Sequence, residues 1–94
     1  MGRLIYSEHS SFDIEDRLLA HLRLVIMNKF RRGESFMLQI PHPNHGQLSL
    51  WLHPASPLLM QFYGGRQPSI DRALIEEMMA HASSPDGLAL DATT

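Results

Sequence analysis

An α+β domain is the expectation for this chain, on three observations. Two segments repeat apolar residues at helical spacing, three consecutive segments repeat them at every second position, and turn-forming residues punctuate the joins. At 94 residues the chain has the length of one small domain. The order read along it is β-α-β-β-β-α-β, as a single domain over residues 1–94. The architecture expected is one mostly antiparallel sheet with two helices on one face.

Arg3 to Ser7 reads as the first strand, with Leu4 and Tyr6 on one face and Arg3 and Ile5 on the other. A long helix is expected from about Asp13 to Arg32, capped by Ser11 or Asp13. Ile14, Leu18, Leu22 and Val25 form its apolar stripe, widened by Leu19, Ile26 and Phe30. Asp13, Glu15 and Asp16 stand at its start and Lys29, Arg31 and Arg32 at its end, each group where the helix dipole favours its sign. Gly33 suits the left-handed stop.

Strands are expected at 35–40, 47–53 and 58–63, with Phe36, Leu38 and Ile40, then Leu48, Leu50 and Leu52, then Leu58, Met60 and Phe62 facing the core. The segments HPNHG and HPASP are turn chemistry between them, and Gly64-Gly65 ends the third. A second helix is expected from about Pro68 to Ala82, with Ile70, Leu74 and Met78 in one row. SSPDG breaks it, LALD (88–91) reads as a last strand, and the final residues as a fraying tail.

Composition removes whole classes of chemistry. With no cysteine, thiol catalysis, disulfides and cysteine-ligated zinc are excluded, and a reducing, cytoplasmic setting is the expectation. A formal net charge of −2 creates no global field toward nucleic acid or anionic lipid. No apolar run approaches a bilayer span, and no secretory leader is legible at the start, so no membrane role is expected. The opening MGRLIYS misses the myristoylation pattern, since Tyr6 stands where Ser or Thr is needed.

Histidines are the natural place to look for a metal. His42, His45 and His53 fall in PHPNHGQLSLWLHP, but His45 and His53 lie at opposite ends of a strand, about 23 Å apart. That leaves His42 and His45 as the only pair that could share an ion, and two ligands from a turn make a weak site. His21 is expected toward the polar side of the first helix, His81 beside Glu77 on the second, and His9 in a polar loop. No G-x-S-x-G elbow, phosphate-binding loop or dinucleotide fingerprint occurs. No cofactor is expected.

Two features point to binding. Arg31 and Arg32 in NKFRRGE, with Arg66 and Arg72 near the second helix, could contact phosphates, and YGGRQP could cradle an anion at that helix's start. The outward face of the three strands carries Met37, Gln39, Ser49, Trp51, His53, Leu59, Gln61 and Tyr63, with no formal charge. Such a face marks a protein interface, most simply with a second copy, or a base-stacking platform, unless the chain's own termini or a helix cover it.

EDRLLAHLRLVIMNKFRRGESF, then LWLHP, then FYGGRQPSIDRALIEEM resemble a family of short actinobacterial and phage proteins of unknown function, often labelled ATP-dependent DNA ligase or ligase-associated. The likeness runs from GRLIY to GLAL. It implies a link to DNA ends. Ligase adenylation needs a lysine in K-x-D-G, and the single lysine, Lys29, sits in KFRRG, so the resemblance implies an accessory module. Family members often carry an aromatic where this chain has Ala73.

Taken together, the sequence predicts a non-catalytic binding or accessory module, working as a homodimer, with the nucleic-acid-associated role that the resemblance implies as the leading reading and a protein partner as the other. Trp51, His53, Tyr63, Arg31, Arg32, Arg66 and Arg72 are the expected binding residues. One alternative is a domain for dimerisation or protein docking alone. Another is a small metal-assisted hydrolase using His42, His45 and Glu34.

Overall fold

The structure is a computed structural model that describes residues 2–7, 10–42, 44, 46–66 and 68–90. Among these described residues, six strands and two helices follow in the order β1 (Gly2–Ser7), β2 (Ser10–Ile14), α1 (Asp16–Arg31), β3 (Phe36–His42), β4 (Gly46–Leu52), β5 (Leu59–Gln61), α2 (Arg72–Ala82) and β6 (Leu88–Ala89). The α+β class and the mainly antiparallel pairing stand as expected. The single sheet does not: the strands form two three-stranded sheets, ordered β2-β1-β5 and β4-β3-β6.

β2 is the element missing from the expected order. Its residues alternate, with Phe12 and Ile14 buried and Ser11 and Asp13 exposed. Ile14 therefore completes a strand, although its spacing to Leu18 also fits a helical stripe. Antiparallel pairing with β1, from Gly2↔Ile14 to Ser7↔Ser10, selects the strand. The helix accordingly begins after Glu15, whose carboxylate accepts from the N–H groups of Arg17 and Leu18 at 3.0 and 3.1 Å. Neither Ser11 nor Asp13 caps it.

The end of α1 follows expectation closely. Gly33 has φ +70°, its N–H donates to Phe30 O at 3.0 Å, and the Glu34 N–H reaches back to Lys29 O at 3.0 Å. That pair of bonds is the Schellman stop, and it needs a residue at ease in the left-handed region. α2 starts later than expected, at Arg72, because Asp71 caps it by accepting from the Ala73 N–H at 3.0 Å.

β3 and β4 form a regular hairpin, in register from Phe36↔Leu52 to His42↔Gly46. β6 lies parallel to β3 on its other side. The segment 53–58 does not return as a tight hairpin. A turn closes at its start, with the Ser56 N–H donating to His53 O and the His53 N–H to Ser56 Oγ. Pro54 lies within it and Pro57 follows it, and the chain crosses to the other sheet, where β5 pairs antiparallel with β1.

One core serves both sheets. Leu4 from β1, Leu19, Leu22 and Val25 from α1, Leu38 and Leu52 from the hairpin and Leu88 from β6 are all essentially inaccessible. Each leucine contributes about 1.5–3 kcal/mol by leaving water. α1 packs on β1 and α2, and α2 packs on β3 and β6.

Two polar clasps join the helices. His21, expected near the surface, is fully buried. Its Nδ1 meets Arg17 O at 2.7 Å and its Nε2 accepts from the Asp71 N–H at 2.9 Å, which places the ring proton on Nδ1. Lys29, expected as a helix-end charge, is also buried; its Nζ donates to Ser83 Oγ at 2.6 Å and pairs with Glu34 at 3.2 Å. The first clasp holds the start of α2 and the second its end. The two helices therefore run in the same sense.

Candidate functional site

The expected aromatic face divides between the two sheets. Trp51 belongs to β4 and is 53% exposed, opposite Met37 on β3. Leu59 and Gln61 belong to β5 in the other sheet, with Tyr63 just beyond it, 56% exposed and donating from its hydroxyl to Gln61 Oε1. Trp51 and Tyr63 therefore do not share one strand-paired surface. The reason is the Pro-containing crossing at 53–58, which sends β5 to β1 rather than to β4.

β4 is the edge of its sheet, and Trp51 stands near its end. The Tyr6 hydroxyl of β1 donates to the Trp51 carbonyl at 3.1 Å, fastening one sheet to the other at that point. Beside Trp51 lies a cavity of about 350 Å³, lined by Met37, Ser35, Lys29 and Glu34 on one side and Ser83 to Pro85 on the other. The loop after α2 forms that second wall. Gly87 makes this possible: with φ +77°, it lies so close to β3 that a Cβ would collide with the Met37 carbonyl.

The arginines are dispersed. Arg31 and Arg32 are exposed at the end of α1, where Arg32 stands 3.9 Å from the Glu34 carboxylate beside the Trp51 cavity. Arg66 lines a second cavity of about 310 Å³ with Asp16, Arg23, Phe62 and Gly64, at the other end of α1. A 16-residue helix separates these ends by about 24 Å. In the second cavity Arg23 lies over the Phe62 ring at 5.7 Å, and Asp16 accepts from the Gly64 N–H. Arg72 is exposed at the first turn of α2. That helix start is not an open anion cradle, because Asp71 caps it with its own carboxylate and gives its N–H to His21.

Of the histidines singled out, His53 is half-buried after β4, and its backbone, not its imidazole, makes the turn bonds with Ser56. His42 ends β3 and its Nδ1 accepts from the Asn44 N–H at 3.1 Å. His45 lies outside the described residues, as does His9. Among the described residues no group of three or more His, Asp or Glu side chains is placed to hold a metal ion. No helix there is long and apolar enough to cross a membrane.

Electrostatics single out one region. From Ser35 to Gly65 the chain contains no Asp, Glu, Lys or Arg, and this block supplies β3, β4 and β5. Every Asp, Glu, Lys and Arg lies before Ser35 or after Gly65 in the sequence. Within the block, Trp51 and Leu59 are large apolar side chains left exposed. This neutrality was legible face by face in the sequence. The buried Lys29–Ser83 contact was not, since the residues are 54 positions apart.

The model of a family described as a domain of unknown function, DUF7882, matches residues 1–93. No curated protein and no solved structure matches the chain.

Proposed function

We propose, for a chain that belongs to the DUF7882 family of domains of unknown function, a non-catalytic protein-docking module that works as a homodimer. The observation that carries this reading is Trp51, half exposed near the end of an uncharged edge strand. Protein interfaces are depleted of charge at their centres and enriched in tryptophan. A half-exposed tryptophan on a strand without formal charge fits that description better than it fits a solvent face.

A nucleic-acid role, which the resemblance to ligase-labelled proteins implies, draws less support. Backbone binding needs cations converging on one track. Here Arg31 and Arg32 lie at one end of α1, Arg66 at the other, and Arg72 on α2. Catalysis likewise lacks a converging set among the described residues. The nearest lysine–serine contact is the clasp in which the Lys29 ammonium is shared with Glu34.

The test is the mass in solution over a concentration series. The wild type is expected at twice the chain mass, and Trp51→Glu at the monomer mass with unchanged far-ultraviolet circular dichroism. A wild type that stays monomeric at every concentration would remove the second copy as the partner.

A further inference from the structure

We infer that the second copy docks by strand addition, β4 pairing antiparallel with the β4 of its partner about a two-fold axis, so that two three-stranded sheets become one of six. The inference rests on the docking reading above and names its geometry.

An edge strand presents unpaired N–H and C=O groups, and proteins protect such edges with charge, proline, bulges or shortness. The four edges here differ in that respect. β5 has three residues and β6 two. β2 carries Asp13, paired across to Arg3 at 3.5 Å. β4 has seven residues, Gly46–Leu52, no proline and no charge, and its register with β3 is unbroken. Among the described residues the Tyr6 hydroxyl takes one lone pair of the Trp51 carbonyl and leaves the other, so the open stretch is Gly46 to Trp51.

The occupant follows from charge and pattern. A two-fold interface sets a surface against itself, so any charge near the axis meets its own sign. β4 carries none. About Ser49 the strand reads Gln47-Leu48-Ser49-Leu50-Trp51, with leucine on either side of the centre. Antiparallel self-pairing therefore puts leucine beside leucine on the core-side face and Gln47, Ser49 and Trp51 together on the other. Leu48 and Leu50 are only half-buried, whereas Leu52, beyond the open stretch, is fully covered. A neighbouring copy would cover what this chain leaves half open.

The experiment uses charge at the two exposed positions, Gln47 and Ser49. The double variant Gln47→Lys/Ser49→Lys and its counterpart Gln47→Glu/Ser49→Glu are each expected to weaken the dimer by roughly tenfold or more, through like charges across the axis. Mixing the two is expected to restore dimers containing one copy of each. Circular dichroism of each variant confirms folding, and amide exchange at Leu48 to Leu50 of the wild type should slow as concentration rises. If both double variants stay dimeric while Trp51→Glu is a monomer, strand pairing is overturned and docking through Trp51 stands. A wild type that is monomeric throughout overturns both.

Discussion

The imidazole of His21 links two helices because each ring nitrogen has a backbone partner, Arg17 O on α1 and the Asp71 N–H that opens α2. Replacing it by leucine keeps much of the volume but leaves the Asp71 N–H without its acceptor. His21→Leu is expected to cost about 1–3 kcal/mol, read as a lower denaturant midpoint. An unchanged midpoint would show that the bond contributes nothing net. Lys29 has a different balance, because its buried ammonium is offset by Ser83 and a half-exposed Glu34. Methionine at that position removes the charge while preserving the stem, and Glu34 can turn to water. Lys29→Met is expected within about 1 kcal/mol of wild type in the same denaturation experiment. A much larger loss would mean that the ion pair is a main support of the fold.

At the level of elements, the shortest strand described is β6, two residues held parallel to β3. Its docking depends on Gly87, where a side chain meets both a positive φ and the Met37 carbonyl. Gly87→Ala is expected to lower stability by about 2 kcal/mol or more, combining backbone strain with the collision. Thermal melting measures the loss, and amide exchange at Leu88 and Ala89 should quicken beyond it. If melting is unaffected, the loop moves aside at no cost and β6 is dispensable. The same close approach forms one wall of the Trp51 cavity, so this glycine shapes the surface on which docking is proposed.

For the whole molecule, charge distribution decides between partners. The Ser35–Gly65 block is neutral, and outside it Arg31 and Arg32 lie at the far end of α1 from Arg23 and Arg66, which share one cavity with Asp16. Titration with single-stranded oligonucleotide at low salt is therefore expected to leave Trp51 emission unchanged. Saturable quenching that fades with salt would restore the nucleic-acid reading.

What local pattern decides was legible from residues alone. Both helices, the three alternating strands and the Gly33 stop follow from spacing and from one glycine's freedom. The place of Trp51 on an uncharged outward face follows from alternation, whereas its exposure was decided by the tertiary structure. Pairing between distant segments was not legible, because spacing reports which way a side chain points and not which strand lies beside it. Ile14 fitted two periodicities until β1 selected the strand. β5 had the right pattern for the β3–β4 sheet but joined β1, dividing Trp51 from Tyr63. His21 and Lys29 read as surface charges or polar residues because their partners, Asp71 and Ser83, are 50 and 54 positions away. The physical reason is the same in each case. A residue's periodicity is set by its neighbours along the chain, whereas its burial and its partners are set by whichever distant segment the shared core draws against it.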